Sequence, residues 1–468
     1  MMEERMKQRG KILPNKPWIA LVLLITFSLP AWAIAAEVSV PAAGGAAAQA
    51  GTPSGGKVLR IEDAVRTGLE NHPRIRAAKE KVGSQQAVLG QQFAAYYPTI
   101  TLGNIYSTRT TSGNTGSTPE AFDFFSSQAT FNMTLYNFGK REGAVESARE
   151  TLQASQYDYQ TAANDVVLGV KQAYYAYLQA RALVKVREEA VKSRELLLRQ
   201  AQGFFEVGTR AKIDVTRAES NLYNAQADLL AAQNAVRIAW VTLKNAMGLK
   251  DLPEQPVAED LSIVAPPLSL EQAKEAAFNV RPELKSFEAQ RKAQDQQIAT
   301  ARRGHLPDII FDASYGRRHV SNETQKIDSI TRHIDTFPLQ PAWQVQLSLN
   351  VPIFDGFRTT NKVEETLHNY YSVRAQEEDR KQQVALEVEQ SYLNMINTQE
   401  RIKATEAAAR AAKENLDLAN GRYQVGVGSI IEITDAQALY TDAETSYIRT
   451  LYDYKISEAQ LQRAMGSP

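Results

Sequence analysis

The sequence predicts a mainly α-helical protein with a membrane β-barrel part, laid out as two tandem repeats that each run short helix, β-hairpin, long helix pair. Three observations carry this fold class. Setting Gly208 on Gly426 gives an offset of 218 (426 − 208) that holds without a gap from Tyr136/Phe354 to Gly248/Gly466, and both copies close on the same words, LKNAMG and LQRAMG. Four windows of about ten residues switch from helical to period-two patterning. No proline interrupts residues 140–248 or 358–467, which leaves room for very long helices.

The chain opens with Arg5, Lys7, Arg9, Lys11 and Lys16, then the apolar run WIALVLLITFSL (18–29), then Pro30 and small residues in AWAIAAE. That order reads as a secretory signal peptide over residues 1–35, cut near Ala33 or Ala35, and the run is short for a transmembrane helix. Residues 36–57, rich in Ala, Gly and Pro, read as a flexible leader. Lys plus Arg (53) balances Asp plus Glu (53), which removes the electrostatic case for nucleic acid. The chain has no cysteine, so neither disulfides nor a lipidated thiol stabilise or tether it.

The first repeat is expected at 58–257 and the second at 258–467. Each begins with a helix of about 35 residues, from Ile61 to Tyr97-Pro98 and from Leu270 to Leu306-Pro307, because proline ends the ladder. Their openings, LRIEDAVRTGLENHP (59–73) and LSLEQAKEAAFNVRP (268–282), match at an offset of 209 (282 − 73). The offset grows by nine (218 − 209) before Tyr136, so the second copy carries nine more residues there, where a surface loop tolerates insertion.

Strands are expected at about 99–109 and 127–136, then at about 308–316 and 343–352. One face of these carries Ile100, Leu102, Ala129, Phe131, Met133, Leu135, Ile309, Phe311, Tyr315, Trp343, Val345, Leu347, Leu349 and Val351, and the other carries Thr, Asn, Gln, Ser and Asp. Exposed loops are expected at 110–120 and 317–336, between the strands of each pair. Turns YNFGKR and FDGFRT lead into long helices at about 140–203 and 358–421, each followed by a second helix, at about 211–247 and 429–465. Val145, Ala148, Leu152, Ser155, Tyr159, Ala162 and Val166 step by threes and fours, the seam of a coiled coil.

An apolar strand face backed by a polar one is the signature of an outer-membrane strand. Four strands cannot close a barrel, since about eight are the observed minimum. A barrel therefore forces an oligomer, and three chains would give twelve strands. Helices running from 140 to 203 would span roughly 95 Å at about 1.5 Å per residue, far beyond any bilayer. Gly208 and Gly426 mark where each must stop and turn back, since glycine accepts the left-handed conformation at a helix C-terminus. Both turns should lie at one level, far from the strands.

The repeated helix, strand pair and helix pair, the turns YNFG and FDGF, and the windows FEVGTRAKIDVTRAESNLYNAQ and YQVGVGSIIEITDAQALYTDAE resemble the TolC-type outer-membrane efflux protein family over essentially all of residues 57–467. The resemblance implies a homotrimer with a twelve-stranded barrel in outer-membrane lipid and a helical tube through the periplasm. It implies an exit duct of a tripartite efflux or type I secretion system, joined through a periplasmic adaptor (membrane fusion protein) to an inner-membrane transporter, with no chemistry and no cofactor of its own. It also assigns a periplasmic mouth. Carried over by position, Asp214, Glu432 and Asp435 are aperture acids, Tyr423 is an aperture lock, and Val207, Gly208, Thr209, Val425, Gly426 and Val427 form the tips where the adaptor docks. Glu432 and Asp435 are three apart and share one helical face, and converging carboxylates favour cations in a pore. One departure stands out: where the family often has an arginine two residues after the second glycine this chain has Gly428, while Arg210 holds the equivalent place in the first copy and Arg217 stands nearby.

No enzyme pattern competes, because the five histidines (His72, His305, His319, His333, His368) lack metal-ligand spacing and no phosphate-cradling loop or nucleophile elbow occurs. The rival is a periplasmic coiled-coil tether or adaptor with a small soluble sheet and no pore. The apolar strand faces argue against it.

Overall fold

A computed structural model describes residues 58–111, 120–259, 261–263, 268–320, 323–327, 330–334 and 340–467. The expected signal peptide and leader, and residues 112–119 of the first expected loop, lie outside the described residues.

Proline punctuates the short helices twice, not once. The expected 35-residue helix is two helices in each repeat: α1 (Ile61–Asn71) and α2 (Pro73–Ala94), then α5 (Leu270–Val280) and α6 (Pro282–Arg302). The residue before each proline, His72 or Arg281, is extended (ψ 128° and 125°), because the pyrrolidine ring clashes with a helical predecessor, while proline itself sits comfortably at the first helical position. Sequence reasoning applied this rule at Pro98 and Pro307 and overlooked it at Pro73 and Pro282. The breaks are used. Gly248 and Gly466, which end the two closing words with positive φ (+72° and +85°), pack against them: a Cβ at Gly248 would lie 2.7 Å from the His72 Cα, and one at Gly466 3.2 Å from the Arg281 Cα.

Strands β1 (Thr99–Thr111), β2 (Glu120–Tyr136), β3 (Asp308–Val320) and β6 (Gln340–Asn350) form one antiparallel sheet in the order β1-β2-β3-β6. β2 begins earlier than the period-two pattern suggested, and part of the expected loop 317–336 is instead the end of β3 and a small hairpin of β4 (Glu323–Ile327) and β5 (Ile330–Ile334). Register decides what each face carries. Ile100 faces Phe131, Phe131 faces Ala313 and Ala313 faces Val345, while one residue along Thr99 faces Asn132, Asn132 faces Asp312 and Asp312 faces Gln346. At this level one face is thus apolar and the other polar, with Asn132 Nδ2 donating to Asp312 Oδ1 at 2.6 Å, while farther from the helices Asn104, Ser127 and Arg317 interrupt the apolar face. The apolar face is uncovered at the edge strands, where Leu102 is 68% exposed and Trp343 74%.

Below the sheet stand α3 (Lys140–Glu206) and α7 (Arg358–Gln424), each 67 residues, and their partners α4 (Lys212–Ala246) and α8 (Ile430–Ala464), each 35 residues. At about 1.5 Å per residue the longer pair runs about 100 Å. Every residue of the first seam, from Val145 to Val166, is buried or half-buried. Among the described residues no helix is long and apolar enough to cross a membrane.

Level with the proline breaks, two cores fasten the repeats. In the first, Tyr174, Tyr177, Trp240, Leu243 and Met247 pack under the linker, with Tyr174 Oη donating to the Ala258 carbonyl at 2.7 Å and Tyr177 Oη to Glu254 Oε1 at 2.8 Å. In the second, the fully buried Arg281 lies 2.6 Å from Glu387 and 3.2 Å from Glu283, and Arg463 reaches Asp165 at 2.7 Å and Glu283 at 2.8 Å.

Candidate functional site

The end of the helices far from the sheet gathers the residues that the sequence singled out. Each long helix ends in the same main-chain motif. In α3 the amides of Thr209 and Arg210 donate to the Phe204 carbonyl (2.9 and 3.3 Å), and in α7 those of Val427 and Gly428 donate to the Arg422 carbonyl (3.1 and 2.9 Å). Gly208 (φ +76°) and Gly426 (φ +82°) take the left-handed conformation that this closure requires. Equal helix lengths put both turns at one level.

Side chains then join the turns. The Arg210 guanidinium crosses from the first turn to the second and donates through Nη2 to the carbonyls of Gly426 (3.0 Å) and Gly428 (2.6 Å). Gly428 is where it must be, because a Cβ there would lie 2.9 Å from the Tyr423 amide nitrogen and 3.0 Å from the Arg422 carbonyl carbon. The side chain that the second turn lacks is therefore supplied by the first. Arg210 also lies over the Tyr423 ring, 5.6 Å from its centroid, and Phe204 meets that ring edge-on at 5.6 Å.

Tyr423 is fully buried, and its hydroxyl has no hydrogen-bond partner among the described residues. Burial pushes this phenol above its ordinary value and the neighbouring Asp214 carboxylate adds to the rise, partly opposed by Arg210. This hydroxyl makes no bond to Asp214 inside the protomer. Beneath these groups lies a core drawn from four helices: Leu197 and Ala201 of α3, Ala218 of α4, Leu416, Ala419 and Tyr423 of α7, and Ile430, Ile433 and Ala436 of α8.

The acids differ in their surroundings. Glu432 opens α8, where Ser429 Oγ accepts its amide at 3.1 Å, and its carboxylate pairs with Arg422 at 2.9 Å. Asp435 is exposed and has no ion-pair partner among the described residues, and Asp214 is half-buried in the first turn of α4. Val207, Val425 and Val427 project into solvent at 71%, 73% and 69% exposure, beside exposed Thr209 and Arg217. Sequence reasoning missed Arg422 as the partner of Glu432 and the reach of Arg210 to two carbonyls. The repeat offset did mark Arg210 as the odd residue, but no spacing rule reveals a bond to a backbone carbonyl of another turn.

The sequence profile of the family described as "Outer membrane efflux protein" matches residues 64–249 and 275–467. The chain is 27% identical over 407 residues to the outer membrane protein TolC of Vibrio cholerae, covering 85% of this chain and 88% of that one. It is 24% identical over 412 residues to the probable efflux pump outer membrane protein TtgC of Pseudomonas putida, covering 87% and 82%. Its fold matches the crystal structure of the Campylobacter jejuni CmeC outer membrane channel with a TM-score of 0.73, at 17% identity over 87% of this chain and 85% of that one.

Proposed function

The chain belongs to the outer membrane efflux protein family, an outer-membrane exit duct reaching into the periplasm, and from that premise we propose that three copies complete one duct. The observation that carries the reading is the sheet, which has an apolar face bare to the surroundings, a polar face opposite it, and two outer strands that pair on one side only. Three such sheets joined edge to edge make twelve strands, apolar toward lipid and polar toward a water-filled lumen. A soluble tether would leave that apolar face in water.

Below the barrel the twelve long helices of the trimer form the tube, and the turns form its mouth. Exposed Val207, Gly208, Thr209, Val425, Gly426 and Val427 offer the tips to a periplasmic adaptor, which links the duct to an inner-membrane transporter of a tripartite efflux or type I secretion system. Asp214, Glu432 and Asp435 line the aperture, and Tyr423 packs its closed form. Their unequal pairing ranks them: Arg422 offsets Glu432, so the free carboxylate of Asp435 carries most of the ion preference.

Bilayer recordings test this reading. Asp435→Ala lowers cation selectivity more than Glu432→Ala does, with trimers intact on heat-modifiable gels. Unchanged selectivity in the Asp435→Ala channel overturns the assignment of the ring.

A further inference from the structure

We propose that the groove at the foot of β6 holds one aminophospholipid of the periplasmic leaflet, its ammonium taking the place that Arg141 fills in the first repeat. The proposal rests on the trimeric duct above, which puts this end of the sheet at the inner edge of the bilayer. The two hairpins share one register: Thr99 faces Asn132 and Ile100 faces Phe131, as Asp308 faces Asn350 and Ile309 faces Leu349. Positions can therefore be equated by the offsets 209 and 218. In the first repeat the Arg141 guanidinium lies over the Tyr96 ring, 4.4 Å from its centroid, and donates to the carbonyls of Ala95 (3.2 Å), Thr134 (2.7 Å) and Leu135 (3.2 Å). The equivalent carbonyls in the second repeat are those of Gly304 (95 + 209), Pro352 (134 + 218) and Ile353 (135 + 218), and the equivalent of Arg141 is Thr359 (141 + 218). Thr359 is short, and its hydroxyl is turned to the Asp355 carboxylate. Among the described residues no hydrogen bond reaches those three carbonyls.

The space that an arginine would fill is part of a groove of about 1070 Å³, lined by Gly304 and Pro352, by Leu349 and Val351 of the apolar sheet face, and by Arg358 and Lys362 of α7. These linings match three parts of one molecule. A primary ammonium brings three donors to the carbonyls. A phosphodiester suits Arg358, which is exposed and whose side chain has no hydrogen bond or ion pair among the described residues. Lys362 can share that phosphate, since its exposed pairing with Glu365 is weak. An acyl chain continues along Leu349 and Val351 toward the bilayer. Phe357, next to Arg358, takes a left-handed backbone (φ +65°) that strains any residue but glycine, and it meets exposed Phe354 edge-on at 5.5 Å. An aromatic pair kept exposed at that cost fits a lipid interface.

Native mass spectrometry of the purified full-length trimer tests the site, with dioleoyl phosphatidylethanolamine, its N-acetylated form and dioleoyl phosphatidylglycerol as probes. The trimer is expected to hold one phosphatidylethanolamine per protomer, about tenfold more tightly than the N-acetylated lipid, which lacks the charge-assisted bonds to the carbonyls. Thr359→Arg, which restores the arginine of the first repeat, is expected to abolish this preference with trimers intact. Arg358→Ala, at an exposed position, is expected to weaken phosphatidylethanolamine binding, and it decides the matter where Thr359→Arg yields no trimer. Equal affinity for the two ethanolamine lipids, a preference for phosphatidylglycerol, or variants that bind as the parent does overturn the site. A parent chain that forms no heat-modifiable trimer overturns the reading as a duct and the lipid site with it, whereas trimers without the lipid preference overturn the site alone.

Discussion

At the scale of single residues, hydroxyls and guanidinia do most of the joining. Tyr177 is one case. Its ring sits against Trp240 in the first of the two cores level with the proline breaks, and its hydroxyl donates to Glu254 in the segment between α4 and α5. Burial, then the bond to Glu254 and its charge, push the phenol from 10 to about 12. A folded value above the unfolded one favours the neutral form, so this stabilisation is complete below pH 10 and is lost as the pH rises toward 12. Thermal melts of the purified protein at pH 9 and pH 11 should differ, and Tyr177→Phe should reduce that difference. Tyr452, which burial and Glu259 also push up, supplies the slope that remains.

At the scale of elements, the same side chain costs different amounts on the two faces of one strand. Val345 lies on the apolar face of β6 at 60% exposure, and Gln344 next to it faces the polar side beside Ser314. In a bilayer Val345→Arg should cost about 2–4 kcal/mol near the midplane, whereas Gln344→Arg faces water and is tolerated. Outer-membrane yield of heat-modifiable oligomer measures the contrast. Equal yields would remove this face from lipid. The helices show the other side of element-scale reasoning. Their seams and turns were legible because period and glycine act within a few residues. The breaks at His72-Pro73 and Arg281-Pro282 follow from the same proline rule, but the apolar pattern runs on through them and masks them in the sequence.

At the scale of the whole molecule, the repeats are alike in outline and unlike at the waist. Arg281, Glu387 and Arg463 in the second copy stand where the first has His72 (281 − 209), Gly169 (387 − 218) and Asn245 (463 − 218). Both repeats have an apolar core there, Tyr174, Trp240, Leu243 and Met247 in the first and Ala273, Ala277, Leu284, Val384 and Val388 in the second, and the second adds the charged cluster. Arg281 is fully buried beside the half-buried Glu283 and Glu387, so Arg281→Met leaves two partly desolvated carboxylates short of a partner and should cost up to about 3 kcal/mol, the low end for breaking a buried pair. A fall in melting temperature, partly recovered in Arg281→Met/Glu387→Gln, is the expected result, and an unchanged melting temperature would show that Arg380 and Arg463 suffice.

The sequence by itself determined the repeat, the order of helix, hairpin and long helix pair, the two faces of the strands and the place of the glycine turns. Each of these follows from periodicity or from the backbone limits of proline and glycine, which act between near neighbours. Only the tertiary structure decided who meets whom across hundreds of residues. Arg210 reaches Gly426 and Gly428, and Asp165 joins Arg463, because α3 and α7 both pack against α8 and the equal lengths of the two long helices bring their turns to one level. Such pairings depend on rotamer and distance after packing, and no local pattern encodes them.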